Sequence, residues 1–304
     1  MPQHPAAPEE LVDLIEGYRQ AMRSMIELGR SCPKDKTEAA TPCPGWSVKD
    51  QFSHIASLET YFDGGDYPEV DLPERGHLRS DFAVWMEYGV QARRGHSLTE
   101  VLDDLETLLF NRLATLGNPD LTVDSMVRGP MDKQITLADL MARRLCDIWV
   151  HEQDVREALN RIGNLDSPAA AMFVSRIVMA FPVVVQKRLD LPVGSTVIVE
   201  STGPVTARVG VRMGRDNDDA VVAHSLFTGS IEADESDTAT AGEHAGDIGV
   251  DAGEELSSTV TISMTTDALT RRSAGRRTTG DTTYKVVGDE ETARAVLDVL
   301  VITP

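Results

Sequence analysis

Apolar residues recur at three- and four-residue steps through most of the first half of the chain. Between Glu9 and Arg30, the residues Leu11, Leu14, Ile15, Tyr18, Met22, Met25, Ile26 and Gly29 share one side of a predicted helix, which Pro33 ends. A turn-rich stretch, Thr41 to Trp46, follows. Ser47 then opens a second helix, with Asp50 placed to complete a capping box, and Phe52, Ile55, Ala56 and Leu58 form its apolar stripe. Residues 63–79 are rich in glycine, proline and charge and read as a loop. Phe82 to Arg93 predicts a third helix. Thr99 is read as the cap of a fourth, which Gly117-Asn118-Pro119 stops. Another loop runs to Gln134, and Thr136 with Asp139 opens a long helix that continues to about Asn160. Long amphipathic helices joined by loops predict an antiparallel bundle, four-helix in plan.

After residue 164 the period shortens. Ala169 to Arg188 remains helical, but Ser195–Glu200, Val205–Met213, Thr259–Thr265 and Thr282–Val287 alternate as strands do. Short helices are expected at Asp267–Arg271 and from Glu290 to Val301. The fold class is therefore α+β overall. An N-terminal helical bundle spans residues 1–164, and a smaller α+β domain with a mostly antiparallel sheet spans 165–304.

Charge sharpens this outline. The 304 residues hold 29 Lys+Arg against 49 Asp+Glu, a net charge of −20. Broad binding to nucleic-acid phosphates or anionic lipid needs basic surface and is disfavoured. Residues 214–258 supply −11 of that charge, with twelve acids against the single base Arg215, and read as a solvated acidic loop. Cys32, Cys43 and Cys146 are too few for a disulfide framework and fit a reducing cytoplasm. The opening segment lacks the basic and apolar regions of a signal peptide. Ala169 to Gln186 is the most apolar stretch, and Arg176 within it favours a buried helix over a membrane span.

The chemistry concentrates between Arg143 and Arg156. Asp147 and His151 are four residues apart on one predicted helix and share a face. Such a pair can bind a divalent metal if a third ligand arrives from another helix, and His54 is the candidate. Three protein ligands leave a coordination position open, as in catalytic zinc sites. Asp154 is a candidate fourth ligand or an outer partner that orients an imidazole. Arg144, Asp147 and His151 can equally form a salt-bridged surface stripe, while Trp149 and Val150 read as core.

Two segments carry a family resemblance. Thr41-Pro42-Cys43-Pro44-Gly45-Trp46-Ser47-Val48-Lys49-Asp50, followed by His54, resembles the opening motif of the mycothiol-dependent maleylpyruvate isomerase family, part of the DinB-like metalloenzyme group. Asp147-Ile148-Trp149-Val150-His151, with Asp154 and Arg156, is similar to its second signature. Ser273 to Arg277 and the chain ending more weakly resemble its sterol-carrier-like C-terminal domain. The resemblance implies a DinB-like bundle that holds zinc or another divalent ion through His54, Asp147 and His151. The family pattern has glutamate where Asp147 stands. Cys43 belongs to the turn motif and reads as packed there, with a thiol position near the metal left open. The resemblance further implies mycothiol as a thiol cosubstrate that adds to a small electrophile, giving isomerisation or an S-conjugate. Arg276 or Arg277, and Arg144, are candidates to bind a substrate carboxylate. The alternatives are a DinB-like metal protein without thiol chemistry, acting as a metal-water hydrolase or a noncatalytic binder, and an acidic interaction protein. Oligomeric state has no sequence signal here.

Overall fold

The computed structural model describes residues 3–73, 76, 78–227 and 258–303. The chain divides into two compact units: residues 5–173, and residues 174–303 joined by the chain start through His4. The division falls inside a helix, nine residues past the 164/165 boundary drawn from sequence.

In the first unit, α1 (Leu11–Arg30), α2 (Val48–Phe62), α4 (Leu98–Leu116) and α5 (Leu137–Ala158) are the long helices. α1 packs on α4 and α5, and α2 packs on the same two, which closes a four-helix bundle. The apolar stripes face inward: Leu14, Tyr18, Met22 and Met25 of α1 are buried, as are Phe52 and Ile55 of α2. Gly29 marks the tightest approach, because a Cβ there would stand 2.6 Å from Leu102 and 2.8 Å from Phe52. The shorter α3 (Asp81–Ala92) lies against α2.

Two local readings need correction. The cap of α4 is Ser97, not Thr99. Ser97 Oγ accepts from Glu100 N, and the Glu100 carboxylate accepts from Ser97 N, a complete capping box. The loop before Gln134 contains a hairpin of β1 (Met126–Arg128) and β2 (Gln134–Thr136). Strands of three residues are too short to show alternation, and the turn depends on left-handed Met131 and Asp132, with φ of 54° and 59°. Tyr61 of α2 pins this turn by donating to Gly129 O and accepting from Asp132 N.

α6 (Pro168–Arg188) runs across the division. Its length and composition would suit a membrane span. Its apolar side is nonetheless buried in the protein, from Ala169 through Phe173 and Phe181 to Val185, and Phe173 packs near Trp149 in the first unit.

The second unit holds a sheet with the order β5-β4-β3-β6-β7 among the described residues. Its strands are β3 (Thr196–Thr202), β4 (Ala207–Arg215), β5 (Val221–Leu226), β6 (Thr259–Thr265) and β7 (Lys285–Val287). β3 and β6 are parallel and the other pairs antiparallel. Val197, Val199, Val209, Val211, Val260 and Ile262 alternate into the core. α7 (Thr266–Ser273) and α8 (Glu290–Val299) pack on β6. The expected loop over 214–258 is corrected at its start: the end of β4 and all of β5 are strand. β5 was missed because it is an edge strand without a buried row, and its alternation is correspondingly weak. Residues 228–257, with the rest of the acidic stretch, lie outside the described residues.

Candidate metal centre

The centre is built where α2 meets α5. The turn before α2 sets its entry. Gly45 has a φ of 81°, a conformation that glycine adopts without strain, and it delivers Trp46 immediately before the cap. Ser47 Oγ accepts from Asp50 N at 3.3 Å, and Asp50 Oδ2 accepts from Ser47 N at 3.0 Å. This start places Gln51 and His54, three residues apart, on one helix face. On α5, Arg144, Asp147, His151 and Asp154 occupy successive turns of a second face.

The two faces bring His54, Asp147 and His151 together. His54 Nε2 lies 3.3 and 3.4 Å from the two Asp147 oxygens, and His151 Nε2 lies 3.5 Å from Asp147 Oδ1. All the ligand atoms of the three residues fall within 4.8 Å of one another. Donors bound tetrahedrally at zinc distances stand about 3.3 Å apart, so the donor set fits a small divalent ion. His54 Nδ1 is buried with no partner among the described residues. The residues are not the exposed stripe that the sequence also allowed. His54 is 1% exposed and His151 6%, whereas the Asp147 side chain is 27% exposed and opens the centre on one side.

Electrostatics favour the ligand-ready forms of His54 and Asp147. Burial, helped by the charges of His151 and Arg144, lowers the His54 pKa to about 4 despite Asp147, so its imidazole is neutral at ordinary pH. Desolvation pushes Asp147 upward, but His54 and Arg144 outweigh it and hold the carboxyl well below its usual range. Burial likewise opposes protonation of His151, and bonding to Asp147 and Asp154 reverses the balance, leaving its pKa raised.

Sequence reasoning named Arg144 but missed the partners around it. Arg144 Nη1 donates to Asp147 Oδ2 at 2.6 Å, and Arg144 Nε donates to Glu59 Oε1 at 2.8 Å. Tyr18 OH donates to the other Glu59 oxygen at 2.7 Å. Arg144 was expected to meet a substrate anion. Its guanidinium is instead buried and bonded to two carboxylates, Glu59 and Asp147, so it fixes the Asp147 side chain. On the other side, the Trp46 ring lies 4.8 Å from His54 and 5.4 Å from His151 between centroids. Trp46 Nε1 donates to Glu87 Oε2 at 2.7 Å, and Arg94 bridges Glu87 to Asp50. Of these, Arg144, one turn before Asp147, was within reach of a spacing argument. Tyr18 looked like core, and Glu59, Glu87 and Arg94 carry no local signal.

Cys43, His151 and Asp154 form a second group of donor atoms within 4.8 Å. Arg276 belongs to the second unit. There its Nη1 donates to Ala274 O at 3.1 Å, and Arg277 pairs with Asp267 at 2.7 Å.

Residues 18–156 match the mycothiol maleylpyruvate isomerase N-terminal domain. The similarity to that family therefore lies within the first unit. The match takes in α2 and α5, and with them all three candidate ligands. No curated protein matches the chain. Two solved structures are similar: a mycothiol-dependent maleylpyruvate isomerase, at 11% identity, and a histidine-to-alanine mutant of that enzyme, at 10%. Each comparison covers 90% of this chain and 92% of the other, with a TM-score of 0.48.

Proposed function

We propose that this protein is a divalent-metal-dependent enzyme that uses mycothiol as cosubstrate to isomerise or conjugate a small electrophile. The observation that carries the reading is the convergence of His54, Asp147 and His151 from two helices within a domain similar to this family. These three residues hold the ion. The mixed imidazole and carboxylate set suits zinc. A bound divalent ion supplies positive charge that favours a thiolate over a thiol near neutral pH.

The chain's own residues do the rest. Burial keeps His54 neutral and available as a donor. Arg144 and Glu59 fix the Asp147 carboxylate. Trp46 walls one side of both imidazoles and limits water there. Arg276 is the proposed contact for a substrate carboxylate, through a bidentate pair. Expected surroundings are a reducing cytoplasm, and none of Cys32, Cys43 and Cys146 forms a disulfide.

The test joins metal analysis to thiol dependence. The purified protein should contain stoichiometric divalent metal, lost in His54→Ala and His151→Ala. Metal-loaded protein should turn over an unsaturated electrophilic acid only when mycothiol is present. Equal turnover with and without mycothiol would favour a DinB-like metal hydrolase instead, and absence of metal would remove both readings.

A further inference from the structure

A chain of hydrogen bonds with a fixed direction runs behind His151. It ends on a backbone carbonyl, which can only accept. Thr41 Oγ1 donates to Trp46 O at 2.8 Å, and the alternative acceptor, Cys43 O at 3.5 Å, is also a carbonyl. With its proton so placed, the hydroxyl accepts from Gln51 Nε2 at 2.7 Å. That bond orients the buried Gln51 amide and leaves Oε1 facing His151 Nδ1 at 2.6 Å. A carbonyl oxygen accepts, so Nδ1 carries a proton, and in the neutral ring Nε2 is then left with the lone pair. Nε2 is the atom that faces Asp147 Oδ1. Asp154 Oδ2, 3.5 Å from Nδ1, calls for the same proton placement at longer range.

We propose that Thr41 and Gln51 are positioning residues that set the tautomer of His151 and so aim its Nε2 lone pair at the metal position. The inference rests on the assignment of His151 as a ligand. It also gives the Cys43–His151–Asp154 group an outer role. With Nδ1 protonated, Asp154 is an acceptor behind the ring and the group is not a second metal site. A histidine ligand is ambiguous between its two nitrogens, and partners behind the ring resolve the ambiguity.

Full-length protein with 15N-labelled histidine tests this in two independent measurements. Nitrogen chemical shifts of the metal-free, deprotonated protein read the His151 tautomer. Competition with a chromophoric chelator reads affinity for zinc alone. Wild type should show Nδ1–H only. Gln51→Leu should populate both tautomers and bind zinc about 10–100-fold more weakly, the range for lost outer partners. Gln51→Glu keeps an acceptor at the same place and should retain Nδ1–H with near-wild-type affinity. Thr41→Val should mix the tautomers in the same direction, and Thr41→Ser should restore one, which keeps the test decisive if Gln51→Leu fails to fold. An Nε2–H tautomer in wild type overturns the proposal, as does unchanged tautomer and affinity in both Gln51→Leu and Thr41→Val. Failure of wild type to bind zinc overturns the ligand assignment itself, whatever the tautomer.

Discussion

The α2–α5 seam of the first unit and the sheet of the second unit are both well buried, yet they are filled differently. The inward row of β3, β4 and β6 is aliphatic: Val197, Val199, Val209, Val211, Val260 and Ile262. Along the seam, by contrast, Gln51, His54, Glu59, Arg144, His151 and Asp154 are buried as well. Burying a polar or charged side chain is unfavourable unless it is bonded. An apolar row serves stability alone, whereas the seam accepts that penalty and offsets it with a directed network. Among the described residues, the seam leaves one buried ring nitrogen, His54 Nδ1, without a partner. The difference makes the seam the candidate functional region on its own chemistry.

The largest expected effect comes from breaking the seam at its candidate ligands. His54→Ala or His151→Ala should abolish stoichiometric metal, measured by elemental analysis. Thiol-dependent activity should fall by more than about 100-fold, the upper range for loss of an outer partner. Helical content by circular dichroism should persist, because the bundle core does not depend on these imidazoles. Next comes the support of Asp147. Glu59→Leu leaves the Arg144 guanidinium with one carboxylate and removes the acceptor of Tyr18 OH. Removing one member of a buried pair destabilises by about 3 kcal/mol or more, to be read from denaturant unfolding. Adding Arg144→Met should recover much of that stability while leaving metal binding weakened, which would separate the structural role of the pair from its role in holding Asp147.

The parts of this seam that were legible in the sequence are those set by local spacing. The Ser47 and Asp50 cap follows from three residues of chain, and Asp147 with His151 follows from one helical turn. The partners were not legible, because they depend on which helix faces which. Arg144 read as a surface salt-bridge partner or a substrate contact, and only the packing of α2 brings Glu59 beside it. Tyr18 sits in an apolar stripe, and nothing in that stripe shows its hydroxyl meeting a carboxylate. In the second unit the buried strands were visible in their alternation, while β5, an edge strand, was absorbed into the acidic stretch beside it. Periodicity reports burial on a regular element and says little about polar groups that meet across elements.

Acid offers a smaller perturbation of the same contrast. In the metal-free protein, His54 titrates at about 4, against about 6.5 for an unfolded histidine. The unfolded chain therefore takes up the proton first as pH falls. Stability contributed by neutral His54 is intact above about pH 6.5 and is lost progressively toward pH 4, by up to about 3 kcal/mol. His151, with its raised pKa, acts in the opposite sense: its contribution is full below about pH 6.5 and is lost as pH rises through its folded value. Urea unfolding at a series of pH values should show a steep acid limb that flattens in His54→Leu. A limb of unchanged slope would mean that His54 is not held neutral by burial.

The smallest effect belongs to the sheet. Ile262 lies at the centre of β6, fully buried between β3 and β7. Ile262→Val removes one methylene from an aliphatic row and leaves every polar group satisfied. Truncations of this kind destabilise by about 0.5–1.5 kcal/mol, visible as a lower unfolding midpoint with an unchanged slope. No metal donor and no partner of a donor is altered, so zinc affinity in the folded protein should match wild type. Matched destabilisation by Glu59→Leu together with a stabilising substitution elsewhere would provide the control: two proteins of equal stability, one with the seam intact and one without. If both bound zinc equally, the buried charges of the seam would be serving only packing, and the distinction between the two regions would fail.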